Sequence, residues 1–268
     1  MKILLPLLLL LSSQAQAGLR LYVFDCGVLY LDNLDMFNIT AEESAVREMF
    51  VPCYLIEHEK GRLFWDGGLP RNVADTEGLV QIDGGSMRYD RWIVDQLADM
   101  KLRPKDIDYA AFSHLHFDHA GAANSFTDST ILMQKTEWDG AFNAAEGFID
   151  TSLFDGLKKA DVKFLEGDYD VFGDGSVRLI YAPGHTTGHQ VLLLELENTG
   201  KLMLSGDLYH TRANRRLRRA PTFNVDAEQT HRSMDKVEAL LKETGATLWI
   251  EHDKALADGL KKAPQYYD

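Results

Sequence analysis

The chain has 268 residues, with 41 acidic against 28 basic side chains and a formal net charge of −13. Such an excess repels nucleic acid and anionic lipid at long range, so no nucleic-acid partner is expected. A hydrophobic fraction of 45% and a mean hydropathy of −0.23 are those of an ordinary globular protein. No linker-like Pro, Gly or Ser tract, short-period repeat or low-complexity run divides the chain.

Residues 1–17 read as a secretory signal peptide. Lys2 forms the positive n-region, residues 3–11 an apolar h-region, and Ala15-Gln16-Ala17 a small-x-small cleavage pattern. The apolar run is too short to span a bilayer, which takes about 20 residues, so no stable membrane insertion is expected. On this reading the mature protein begins at Gly18, is exported to the periplasm or the medium, and carries a charge of −14 once Lys2 is gone. Residues 18–268 are enough for one large domain with its own core.

Short β-rich segments come first, at residues 19–24, 52–57 and 63–65, with "EHEKGR" as a hairpin turn between the last two. Both cysteines, Cys26 and Cys53, lie in strand-like apolar segments, "LYVFDCGVL" and "FVPCYLIEH". In an oxidising compartment these can pair or stand as buried free thiols, and a sequence does not set the Cα separation a bond requires. Residues 88–100 place Trp92, Ile93, Leu97 and Met100 at helical spacing, and Pro104 ends that run. "IDYAAFSH" reads as a buried strand and "HAGAANSF" as the start of a helix. "ILMQ" is a strand, and "TEWDGAF" and "SLFDGLKKA" read as helical. "VKFLEG", "VRLIYAP", "HQVLLLELE" and "KLMLSGD" are strands, residues 227–244 an amphipathic helix, and "TLWIEHD" a last strand. Strands and helices mixed along the whole length predict a layered α/β (α+β) fold with sheets covered by helices.

The chemistry concentrates where the strands end. "SHLHFDHAG" packs His114, His116, Asp118 and His119 into six positions, from a chain with nine histidines. Imidazole and carboxylate are the usual ligands of zinc-like ions. Residues i and i+2 of an extended loop face the same way, so His114 and His116 can share an ion. The chain then turns into a helix, which swings Asp118 and His119 towards another. Three later strands each deliver a ligand-type residue: "LIYAPGHTTGH" His185, "LMLSGDLYH" Asp207 and "TLWIEHD" His252. One zinc takes about four ligands, so seven imply two divalent ions sharing a carboxylate.

These motifs, in this order, resemble the metallo-β-lactamase fold hydrolases. More narrowly, "LYVFDCG", "VPCYLIEHEKGRLFWDGG", "KTEW", "LEGDYDVF" and "APGHTTGHQVLLLE" are similar to the N-acyl-homoserine lactonases. The resemblance implies a four-layer αββα sandwich with the ions at one edge. It implies His114, His116 and His185 on one ion, Asp118, His119 and His252 on the other, and Asp207 bridging. It also makes Asp66, in "FWDGGLP", a residue that orients a ligand. Of the histidines left over, His189 is expected behind the ligands. Zinc is the first expectation for the metal, with cobalt, manganese and iron compatible with the same donors. The implied substrate is a small molecule, an N-acyl-homoserine lactone, with Asp118 shuttling the proton.

One position departs from the pattern. Lactonases of this group often carry a tyrosine three residues after the bridging aspartate, placed to hydrogen-bond the substrate carbonyl. Here that position is His210 and the tyrosine is Tyr209, so either can be the donor. Residues near 35 ("LDNLDMF") and "WDGAF…GFIDTSLF" are the candidates for an apolar groove around the acyl tail, or else simply cover the core. "TRANRRLRRA" puts five arginines just after Asp207; a lid or a solvated face paired with acidic neighbours fits an acidic protein better than a phosphate patch. Thioester hydrolases and phosphodiesterases of the same fold are the rival readings. β-Lactamases of this fold usually lack the bridging aspartate, and a non-catalytic domain should have lost ligands.

Overall fold

The computed structural model describes residues 18–143 and 148–268; the signal-like segment 1–17 lies outside them. Eight strands run in sequence through the first sheet: β1 (Arg20–Leu31), β2 (Glu48–His58), β3 (Gly61–Trp65), β4 (Val80–Ile82), β5 (Gly85–Arg88), β6 (Tyr109–Ala111), β7 (Thr130–Gln134) and β8 (Asp161–Leu165). The second sheet is built from β9 (Tyr169–Asp170), β10 (Val177–Tyr181), β11 (Gln190–Leu196), β12 (Gly200–Leu204) and β13 (Thr247–Trp249). A last strand, β14 (Tyr266–Tyr267), returns to pair with β1. The first sheet has the order β4-β5-β1-β2-β3-β6-β7-β8, and the second β13-β12-β11-β10-β9.

Two-residue alternation decides what each face buries. In β1, Leu21 and Val23 enter the space between the sheets, whereas Tyr22 and Phe24 face outward into a second core. In β11, Leu192, Leu194 and Leu196 join the central core, and Val191 and Leu193 a third. Sheets buried on both faces need a cover on each. Helices α1 (Arg71–Ala74), α2 (Ile93–Asp99), α3 (Phe117–Ala120) and α4 (Lys135–Asn143) supply Val73, Ile93, Leu97, Ala120 and Ala141 over the first sheet. The short α5 (Arg212–Leu217) adds Ala213 to that core. The long α6 (Ala227–Thr244) sets Met234, Val237 and Leu241 on the second sheet. Asp226 caps its start by accepting from the Gln229 N–H, and Gly245, at φ +70°, ends it. Helix α7 (Lys254–Ala257) closes one end of the central layer through Ala257. The result is the expected αββα sandwich.

Two local expectations change, and one hairpin is added. The predicted helix over 88–100 is confined to Ile93–Asp99, because Arg88 belongs to β5 and pairs with Val28 of β1. The β4–β5 hairpin turns at Asp83-Gly84, with Gly84 at φ +75°, a hairpin signal left unread. "SLFDGLKKA" forms two 3-10 turns, Thr151–Leu153 and Asp155–Lys159, in place of a helix. Cys26 and Cys53 are joined in a disulfide across β1 and β2, with Cα atoms 5.8 Å apart. Among the described residues, no helix is long and apolar enough to cross a membrane.

Candidate metal centre

Four chain segments leave the strand ends and meet: residues 113–119 after β6, 182–189 after β10, 205–210 after β12 and 250–252 after β13. His114 Nε2, His116 Nδ1 and His185 Nε2 form a triangle with sides of 2.9, 3.1 and 3.1 Å. Three ring nitrogens cannot satisfy one another by hydrogen bonding in such a triangle. Ligands at 2.0–2.1 Å around a tetrahedral ion stand roughly 3.3 Å apart, close to the sides observed. Asp207 lies beside them, with Oδ2 3.2 Å from His185 Nε2 and 3.6 Å from His114 Nε2. Its Oδ1 points the other way, 2.9 Å from His252 Nε2 and 3.3 Å from His119 Nε2. Asp118 completes the second group, with Oδ2 3.8 Å from His252 Nε2 and 3.9 Å from His119 Nε2. The structure thus gathers all seven predicted ligand residues into two buried groups with Asp207 between them.

The donor set fits cations. His119 Nε2 and Asp207 Oδ1 are buried without a hydrogen-bond partner. Burial, and then the neighbouring imidazoles, hold His114 and His116 well below the usual histidine range, so both present neutral rings. Around His119 the balance reverses. Burial opposes its charge, but the carboxylates of Asp207, Asp118 and Asp66 outweigh it and push the ring well up. Burial would also raise Asp207, yet His210, His119 and His252 hold it well below the carboxylate range.

Four of these residues, His119, His185, His252 and Asp207, are aimed by the other ring nitrogen or by the backbone. His119 Nδ1 is 3.1 Å from Asp66 Oδ2, while Asp66 Oδ1 accepts from the Ser113 N–H at 2.6 Å. Asp66 itself stands in the left-handed region at φ +58°, which aspartate tolerates better than most residues. His185 Nδ1 is 3.0 Å from Asn224 Oδ1, and His252 Nδ1 donates to the Phe50 carbonyl at 2.8 Å. His189 serves Asp207 through the backbone. Its Nδ1–H donates to the Ala182 carbonyl at 3.0 Å, leaving Nε2 to accept from the Asp207 N–H at 2.9 Å. Burial depresses His189 to about 3, which keeps that ring neutral. Asp66 and His189 thus each contact one of the gathered residues, His119 and Asp207 respectively.

Two buried carboxylates escaped sequence reasoning. Glu137, near the start of α4, accepts hydrogen bonds from both ligand-bearing loops of the three-histidine group. Burial raises its pKa and those bonds oppose the rise. Glu251 lies near Asp66 and His119, with neither oxygen hydrogen-bonded, and burial with the Asp66 charge pushes it well up. Glu251 is at least adjacent to His252 in "EHD"; nothing in "KTEW" points from Glu137 to loops 22 and 51 residues away.

The open side of the centre is a cavity of about 800 Å³ whose polar end includes His116, Asp118, Asp207, His210 and His252. His210 Nε2 is 2.9 Å from Asp207 Oδ2, and its ring packs against those of Phe37 and Phe223. Burial lowers its pKa to about 4 against the pull of Asp207. Tyr209 does not share this space, which corrects the expectation that either residue can be the donor. Its backbone is extended (φ −138°, ψ 120°), so consecutive side chains leave on opposite sides. The Tyr209 ring packs with Met234 and Val237, and its hydroxyl donates to Glu238 at 2.9 Å. Met36, Phe37, Phe148 and Leu153 line the cavity as expected for a groove, whereas Trp138 and Phe142 pack on the first sheet's outer core. Ile82, Met87 and Trp92, from the unread hairpin and the segment after it, add apolar wall. The arginine run is a paired face. Arg212, Arg215, Arg218 and Arg219 meet Asp253, Glu238, Asp235 and Glu43, and Arg216 donates to the Glu43 carbonyl.

A two-sheet sandwich with this His/Asp centre at one edge defines a metal-dependent hydrolase class, and the chain belongs to the metallo-beta-lactamase superfamily, whose model matches residues 46–244. Within it, the chain is 34% identical over 267 residues to the N-acyl homoserine lactonase AttM of Azorhizobium caulinodans, covering 93% of this chain and 99% of that one. Among solved structures it is similar to a mutant AiiA of Bacillus thuringiensis with N-decanoyl-L-homoserine bound at the active site (TM-score 0.77, 28% identity, 92% of this chain and 98% of that one). It is equally similar to an N-acyl homoserine lactone hydrolase with the product N-hexanoyl-L-homoserine bound at the catalytic metal centre (TM-score 0.76, 28% identity, the same coverage).

Proposed function

We propose that this protein is a binuclear metal-dependent hydrolase that opens the lactone ring of N-acyl-homoserine lactones to give N-acyl-homoserines. The observation that carries the reading is the meeting of two ligand groups around Asp207 at the polar end of an apolar cavity. His114, His116 and His185 would hold one ion, Asp118, His119 and His252 the other, and Asp207 both; zinc suits this imidazole and carboxylate set. When bound, the pair supplies an acidified water, with a pKa near 7, and a clamp on the ester oxygens.

The chain's own residues do the rest. Asp118 lines the cavity and carries the proton towards the leaving ring oxygen. His210, neutral at pH 7, keeps one N–H to donate to the oxyanion that develops on the carbonyl. Leu29, Leu31, Met36, Met87, Trp92 and Phe148 take the acyl tail and exclude water from it. Export is part of the same proposal: the Cys26–Cys53 disulfide and the signal-like residues 1–17 both suit an oxidising compartment.

The test is ring opening of N-acyl-homoserine lactones by the purified protein, with metal content measured before and after chelation. Chelator-sensitive, metal-restored turnover, well above that on a thioester, a phosphodiester and a β-lactam, is expected. A protein with two metals bound and no lactone turnover would overturn the substrate and leave the centre.

A further inference from the structure

The three histidines that face one another belong to two loops from different sheets. His114 and His116 follow β6 of the first sheet, and His185 follows β10 of the second. Their rings converge only if those loops are held in register, and among the described residues one side chain hydrogen-bonds the backbone of both. Glu137 Oε1 accepts from the Leu115 N–H at 2.9 Å, at the residue between His114 and His116. Glu137 Oε2 accepts from the Thr186 hydroxyl at 2.6 Å and the Gly188 N–H at 2.8 Å, on the stretch that follows His185.

The surroundings are built around this contact. Glu137 is 2% exposed, a position where a carboxylate persists only when its oxygens are bonded. The 186–188 loop lies directly on the first turn of α4. A Cβ on Gly188 would stand 2.3 Å from the Glu137 nitrogen and 2.4 Å from its Cβ. One on Gly140 would stand 2.4 Å from Thr187 Oγ1, which itself donates to the Thr136 carbonyl at 2.8 Å. Neighbouring bonds extend the seam: the Gln190 N–H donates to the Ser113 carbonyl at 2.9 Å, and its side chain to the Phe112 carbonyl at 2.9 Å.

We infer that Glu137 is a positioning residue that locks the β6 and β10 loops together and so preforms the three-histidine half of the metal centre. It touches neither metal nor substrate and acts through the backbone on both sides of the ligands. The inference rests on the reading that His114, His116 and His185 hold an ion, and its test needs no lactone, so it and the lactonase reading can fail separately.

Glutamine is the informative replacement. A carboxylate accepts at both ends, whereas an amide must turn its NH2 towards Leu115 or towards Gly188, where an N–H already points. Cobalt(II) is titrated into metal-free wild type, Glu137→Gln, and the reference variants His185→Ala and His252→Ala, with visible absorption and metal per chain read together. We expect Glu137→Gln to fold, by circular dichroism, and to need about 10–100-fold more metal to fill the site that His185→Ala lacks. Excess metal should restore its spectrum, which loss of a general packing role would not allow. Wild-type metal affinity in folded Glu137→Gln overturns the inference, as does a cobalt spectrum that stays unlike wild type with both sites filled. Should Glu137→Gln fail to fold, Thr186→Val removes one bond of the clamp alone. Weaker metal binding at the same site then supports the inference, and unchanged binding overturns it.

Discussion

Reducing the Cys26–Cys53 bond should cost the protein about 3.5 kcal/mol of stability while leaving the metal centre assembled at 25 °C. The cysteines are 27 residues apart. In the chain-entropy account, opening a loop of that size returns about 12 cal/mol/K to the unfolded chain, or about 3.5 kcal/mol at 25 °C. For a domain of this length each kcal/mol moves Tm by roughly 2–4 °C, so a fall of about 7–14 °C is expected. The centre is close enough to feel a larger disturbance: a Cβ on Gly68 would lie 2.3 Å from Cys26 Cβ, and Gly68 belongs to the turn that carries Asp66. That turn has its own supports, however. The Gly67 N–H donates to the His119 carbonyl at 2.5 Å, the Gly121 N–H to the Gly68 carbonyl at 2.9 Å and the Ala122 N–H to the Gly67 carbonyl at 3.1 Å. The assay is thermal unfolding of the metal-loaded protein with and without a phosphine reductant, with free thiols counted, beside lactone turnover at 25 °C. A Tm change under about 2 °C in fully reduced protein would refute the loop-closure reasoning. A tenfold loss of turnover in reduced, folded protein would show that the backbone bonds do not suffice to hold the turn.

Four substitutions probe the centre and its surroundings. Asp207→Ala should lose metal and activity together, because both groups of ligands meet on that carboxylate; an active, metal-loaded variant contradicts the bridge. His189→Leu strands the buried Asp207 N–H, at a cost of about 1–3 kcal/mol in stability, and should weaken metal binding by about 10–100-fold. Unfolding curves and metal titrations that match wild type would remove His189 from its supporting role. Tyr209→Phe should lose only its bond to Glu238, about 1 kcal/mol, and keep its turnover, whereas His210→Phe should lower kcat by about 100-fold or more if the ring donates to the oxyanion. Steady-state kinetics showing the reverse order would restore Tyr209 as the donor.

The contrast between His210 and Tyr209 shows where a sequence stops informing. The candidate ligands are legible because their signal is local: four ligand-type residues in "HLHFDH", and a single His or Asp at the end of each later strand. Strand-end position carries the geometry, since every buried strand must leave the sheet at one of two edges. Choosing between two adjacent side chains needs the backbone angles at Tyr209, which only the packing of that loop against α6 supplies. The same limit hid β4 and β5: β4 pairs only with β5, β5 finds its other partner in β1 far earlier in the chain, and neither short strand has much pattern of its own. It hid Glu137 more completely. A glutamate on the first turn of a helix reads as a favourable charge near the helix N-terminus, and only the fold turns it inward to face Leu115, Thr186 and Gly188. Ligand identity is thus written in residue type, whereas ligand aim is written in contacts between segments far apart in the chain. That division explains why seven ligands could be named from the sequence while one of the carboxylates that holds them in place could not.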